Sequence, residues 1–147
     1  MDTNDDNENM NELLKALDND GNASLMNLTN SKIKKMNNDI LQKLQLPSKM
    51  LKEFHKKVKN YRYVSEMEDI QFGNYIRWIS LKNPDNIKMT NGGFIIDIKV
   101  VESTGIHIVC KNNFNRIFQI RLEENIVFQK INPQEAVILQ VLDYLDK

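Results

Sequence analysis

Apolar side chains first recur at helical spacing at Met10, Leu13, Leu14 and Leu17, which predicts a short helix over 10–18. The Asp- and Asn-rich stretch 18–24 then reads as a loop. A longer helix is expected from Asn30 or Ser31. There Ile33, Met36, Ile40, Leu41 and Leu44 return every three or four residues and leave Lys32, Lys34, Lys35 and Lys43 to water. Pro47 should stop or kink it, because proline has no amide hydrogen and crowds the preceding turn. Met50, Leu51, Phe54 and Val58 form a second stripe between Lys49, Lys52, Lys56, Lys57 and Lys59. Residues 31–58 therefore read as an antiparallel helical pair or as one kinked helix.

From Tyr61 the period becomes two. Tyr61–Val64 is a short strand or the linker into a sheet, and 74–81 is rich in strand formers. Turn signals at 82–86 and 91–93 precede the clearest strand, 94–100. Alternation there predicts Phe94, Ile96, Ile98 and Val100 inward, with Asp97 and Lys99 on the other face. Further strands follow at 106–111, at 116–122 (Phe118, Ile120 and Leu122 together, opposite Gln119 and Arg121) and at 126–131. The last element is a helix: Asn132 can cap it, Pro133 suits its first position and Glu135 can complete a capping box. Its buried stripe is expected to be Ile138, Val141, Leu142 and Leu145.

This order of elements predicts an α+β protein. Its antiparallel strands would form a small β-barrel or strongly bent sheet, SH3-like or Tudor-like, with N-terminal helices and a C-terminal helix. Closure would remove unpaired strand edges, and a covering helix can protect a sheet in a similar way. Residues 1–9 are expected to be a disordered acidic tail, 10–60 a basic helical region, and 61–147 a strand-rich domain ending in the helix.

Composition changes this picture mainly through charge. The net charge is zero, yet residues 1–20 carry seven acids and one Lys, whereas 21–62 carry ten basic residues and two acids. The second block is a candidate cationic footprint. The acidic start lacks the basic and apolar stretches of a signal peptide, and no apolar run nears the roughly 20 residues that cross a bilayer. The expected setting is intracellular (cytoplasm or nucleus) or a virion interior, without membrane insertion.

Catalytic chemistry finds little support in the residues. Cys110 is the only cysteine, so no intrachain disulfide can form, and its apolar surroundings suit a buried structural thiol. Asp18, Asp20 and Asn22 resemble the start of a calcium loop, but Ala23 and Thr29 stand where the loop needs Gly and Glu. His55 and His107 are the only histidines; neither has metal-helix spacing, and His107 should lie on the face away from Ile106 and Ile108. No nucleophile elbow or phosphate loop is present. Neither a catalytic residue, a metal nor a cofactor is expected.

Binding is the better-supported class. Leu51, Phe54, Tyr61, Tyr63 and Tyr75 are the candidate partner-contacting residues, with Ile76 and Trp78 expected to face the core. Such a surface makes the chain a non-enzymatic protein-interaction or assembly module, acting on a protein partner or a second copy. The alternative is nucleic-acid binding, DNA or RNA, with Lys49, Lys52, Lys56, Lys57, Lys59 and Arg62 as candidate phosphate contacts.

The runs Tyr63-Val64-Ser65, Gly73 to Ile79 and Gly92-Gly93-Phe94-Ile95 resemble small proteins of AT-rich nucleocytoplasmic large DNA viruses, over about residues 61–131. That resemblance implies a virion or infected-cell setting and assigns no catalytic or binding residue.

Overall fold

The structure, a computed structural model, describes residues 28–145. The helix expected over 10–18, the loop at 18–24, the acidic start and the calcium-like run lie outside the described residues.

Among the described residues the helical region holds two helices, α1 (Asn30–Gln42) and α2 (Ser48–Lys57). Thr29 caps α1, its hydroxyl accepting from the Lys32 amide at 3.2 Å. The chain turns through Gln45, at φ 53°, before Pro47 opens α2. This turn makes 30–57 two helices and not one kinked rod. Met36, expected in the apolar stripe of α1, is exposed; the neighbouring Asn37 is buried in its place, between Ile33 and Leu41.

Six strands follow: β1 (Tyr61–Val64), β2 (Tyr75–Ser80), β3 (Gly93–Val101), β4 (Gly105–Lys111), β5 (Ile117–Arg121) and β6 (Asn125–Lys130). They form one antiparallel sheet in the order β1-β6-β2-β3-β4-β5. The expected barrel or strongly bent, SH3-like or Tudor-like sheet does not form. The sheet stays open, neither closed nor strongly curled, and among the described residues β1 and β5 are its two edge strands. The α+β class, the antiparallel pairing and the flanking helices are as expected. The pairing order departs from a plain meander, because β6 inserts between β1 and β2.

Between β2 and β3 the ladder is only two residue pairs long, Tyr75 to Phe94 and Ile76 to Gly93. Gly92 leads into this join at φ +87°, where a Cβ would run into the Ile76 carbonyl; only glycine fits.

One sheet face gathers Val64, Ile76, Trp78, Ile95, Ile108, Cys110 and Val127, with Ile70 and Leu122 from two short 3-10 turns. The opposite face of β1, β6 and β2 packs Tyr61, Ile79, Ile126 and Phe128 beneath Leu41, Phe54 and Val58 of the two helices. The N-terminal helices thus dock on the sheet and share its core. At roughly 1.5–3 kcal/mol per fully buried large apolar side chain, this layer contributes a substantial part of the stability.

The expected facing of β3 is overturned from its first residues. A β-bulge shifts the β3–β4 register between Ile95 and Asp97, so Ile95 and Cys110 pair, Asp97 and Val109 pair, and Ile96 is the extra residue. Ile95 is buried, and Ile98 packs against its cluster, whereas Phe94, Ile96 and Val100 are exposed. One inserted residue resets the alternation on which the sequence reading relied.

The last helix, α3 (Pro133–Leu145), begins as its sequence predicts. The Glu135 amide donates to Asn132 Oδ1 at 2.8 Å, and the Asn132 amide donates to Glu135 Oε1 at 3.2 Å. Ile138 and Leu139 bury against Ile33 of α1, while Leu145 is exposed, so α3 lies beside α1. Asp143 also accepts from the Asn30 amide at 2.8 Å. Near the start of α3, Glu135 Oε2 takes a second partner: Arg62 Nε, 3.2 Å away, donates to it in a buried ion pair.

Candidate interaction site at the open sheet edge

The residues expected to meet a partner are placed largely inside. Phe54 and Tyr61 are buried, and Leu51, Tyr63 and Tyr75 are half-buried in the same cluster around Phe128. Tyr63 tilts against the Phe128 ring, and Tyr75 meets Phe94 edge-on at 5.0 Å while donating its hydroxyl to the Asn91 carbonyl. Burial, then Tyr61, pushes the Tyr75 hydroxyl above its usual pKa, with Arg77 opposing. These aromatics hold the helices to the sheet. Trp78 and Ile76 face the core, as expected.

The candidate phosphate contacts divide. Lys49, Lys52, Lys56, Lys57 and Lys59 are exposed on the outer side of α2 and beyond, the arrangement a helical layer shows to water. Arg62 does not join them: it is 2% exposed, paired with Glu135 at 0%, and donates to the Asp69 carbonyl. The block counted from sequence as one cationic footprint therefore loses Arg62 to the interior.

His107 is on the predicted face, within hydrogen-bond distance of the Thr104 hydroxyl (2.7 Å) and the Gln119 amide (3.1 Å). Among the described residues no group of three or more His, Cys, Asp or Glu could hold a metal ion, and no helix is long and apolar enough to cross a membrane. Cys110 is buried, and burial alone pushes its thiol up to about 12. An unfolded thiol titrates near 8.5, so the native state keeps a proton that the unfolded state releases. The stability linked to this group is complete below about pH 8.5 and declines as pH rises toward 12, by at most about 1.4 kcal/mol per pH unit. Denaturant titrations at pH 8 and pH 10 should show this loss in the native chain, and Cys110→Ala should reduce it; an identical loss in both would contradict the assignment.

The two edges of the sheet are treated differently. On β1 the Ile131 amide donates to the Asn60 carbonyl, so Tyr61 and Tyr63 turn their backbone groups away from β6. Three of those four groups are met by protein. The Tyr61 amide donates to the Val58 carbonyl at 3.0 Å, Asn37 Nδ2 donates to the Tyr61 carbonyl at 2.9 Å, and the Tyr63 amide donates to Asn37 Oδ1 at 2.9 Å. Asn37 thus completes the edge as a short neighbouring strand would, which accounts for an amide in an apolar stripe and leaves β1 little to offer β5 for closure.

On β5 the Asn112 amide donates to the Arg116 carbonyl, so Phe118 and Ile120 are the residues bonded inward to β4. Ile117, Gln119 and Arg121 point their backbone groups outward. The Arg121 carbonyl accepts from Asn125 Nδ2 at 2.8 Å, but those of Ile117 and Gln119 have no partner among the described residues. The edge is flanked by apolar surface: Phe114 is 85% exposed, Ile117 64% and Phe118 39%. Beside it opens a cleft of about 440 Å³ lined by Tyr75, Arg77, Trp78, Asn112, Phe114 and Phe118. The Trp78 and Phe118 rings meet there at 6.2 Å. Sequence reasoning missed Phe114, Ile117 and Asn37; an Asn at an i, i+4 apolar position was the one available signal.

At the end of the edge, Glu124 is held by Arg121 at 2.8 Å and by Lys82 at 3.0 Å. The hydrogen bond from Lys82, then the charges of Lys82 and Arg121, keep its carboxyl below the usual range.

Compared with protein families, curated proteins and solved structures, the chain matches none, and neither a viral setting nor nucleic-acid binding gains support from them.

Proposed function

We propose that the protein is a non-enzymatic interaction module that takes up an extended segment of a protein partner along β5. The observation that carries this reading is the asymmetry of the edges: Asn37 meets the Tyr61 carbonyl and the Tyr63 amide on β1, while the outward amides and carbonyls of Ile117 and Gln119 find no partner among the described residues and lie beside exposed apolar side chains. An added strand satisfies such groups through main-chain hydrogen bonds, and alternate side chains supply specificity. Each new bond contributes only about 0.5–1.5 kcal/mol net, so a short ladder binds weakly by itself. Burying one large apolar side chain in the neighbouring cleft adds about 1.5–3 kcal/mol, which makes the cleft the source of selectivity.

Selection from a library of random eight-residue peptides tests this. Recovered peptides should carry a bulky apolar residue among alternating positions, protect the Ile117 and Gln119 amides from exchange, and lose binding to Gln119→Pro. That substitution removes an outward N–H without touching the β4 ladder. Peptides that bind Gln119→Pro as well as the native chain, or failure to recover any peptide that protects β5, would reject the reading.

A further inference from the structure

We infer that the occupant of β5 is a second copy of this chain, paired antiparallel about a two-fold axis at Gln119; this rests on the strand-addition reading above. With that axis, Gln119 opposes itself, Phe118 opposes Ile120 of the second copy, and Ile117 opposes Arg121 of the second copy. The outward backbone groups then meet in phase, because Ile117, Gln119 and Arg121 all point away from β4. The contact is isologous, so each favourable pair occurs twice.

Charge selects this register. Arg116, exposed and without an ion pair among the described residues, falls opposite Leu122 of the second copy, next to the exposed Glu123. Two Arg116–Glu123 pairs therefore bracket the joint strands. The one basic residue carried to the centre of the contact, Arg121, is already neutralised by Glu124 of its own chain. No like charges stand directly opposite, and Phe118 and Ile117, apolar and exposed on a single copy, become covered in both. The same edge that would be an aggregation template in an open register is thus provided with a closed, two-fold one.

Sedimentation equilibrium of the full chain from about 1 to 500 μM at low salt is the test. The mass should rise from 17.2 kDa toward twice that value. Gln119→Pro should hold 17.2 kDa throughout with native circular dichroism. If the proline perturbs β5, Ile117→Lys, at an exposed position and opposite Arg121 of the second copy, should do the same. Arg116→Glu should raise the dissociation constant about tenfold, the scale of two exposed ion pairs, and Arg116→Glu with Glu123→Arg should recover most of it. A native chain that stays at 17.2 kDa, a dimer that survives both edge variants, or a charge swap without recovery would overturn the inference. If the native chain is monomeric but still binds selected peptides at β5, only the self-pairing falls; if it binds none, the strand-addition reading falls with it.

Discussion

Replacing Glu135 with Ala is expected to lower the free energy of unfolding by about 3–5 kcal/mol, the range for removing one partner of a buried ion pair. Both carboxylate oxygens are used: Oε1 accepts from the Asn132 amide and Oε2 from Arg62 Nε. Alanine leaves the Arg62 guanidinium in a dry site with, among the described residues, only the Asp69 carbonyl as partner, and it also removes half of the capping box. Glu135→Gln keeps the shape and loses the charge, so its loss should be smaller. Arg62→Met combined with Glu135→Leu should recover much of the loss, since an apolar pair of similar volume carries no desolvation cost. Urea titration checks all three; a loss below about 1 kcal/mol for Glu135→Ala would show that the pair does not hold α3 to the sheet.

Asn37→Leu is expected to cost about 2–6 kcal/mol. The leucine continues the apolar stripe and raises helix propensity, yet it deprives the Tyr61 carbonyl and the Tyr63 amide of their partners. Each unmet buried group costs about 1–3 kcal/mol. Asn37→Asp should also destabilise, because it keeps an acceptor for the Tyr63 amide but turns a second acceptor toward the Tyr61 carbonyl. The loss should come with a new tendency to associate through β1, which is then an open edge like β5. Thermal unfolding and light scattering report the two effects separately. An Asn37→Leu protein as stable as the native chain would mean that the amide is not the edge's partner.

The helices were legible from the chain because local rules govern them. Apolar spacing located α1 and α2, Pro47 separated them, and the Asn132–Glu135 capping box fixed the start of α3. Strand positions were also readable, and so was the facing of Phe118, Ile120 and His107. Two departures have specific causes. The bulge at Ile96 inverts the expected alternation at the start of β3, and a one-residue insertion leaves no mark in a run of Phe and Ile. The insertion of β6 between β1 and β2 is a long-range pairing that periodicity does not encode. The site fared worse than the fold. Tyr61 and Phe54 were attractive as exposed aromatics only while the docking of α1 and α2 was unknown. Arg62 belonged to the cationic block in sequence but sits where α3 delivers a carboxylate. The exposed Phe114 and Ile117 looked like ordinary turn and strand residues, because edge position is a property of strand order.

This sheet covers one edge with a side chain and, among the described residues, leaves the outward backbone groups of Ile117 and Gln119 on the other edge unmet. Amide hydrogen exchange resolved by residue, at a concentration where the chain sediments as a monomer, tests it most directly. The Tyr63 amide should exchange slowly, and the Ile117 and Gln119 amides should exchange fast on either side of a slow Phe118. Ile117 and Gln119 amides as protected as Phe118 in the monomer, or an unprotected Tyr63 amide, would contradict it.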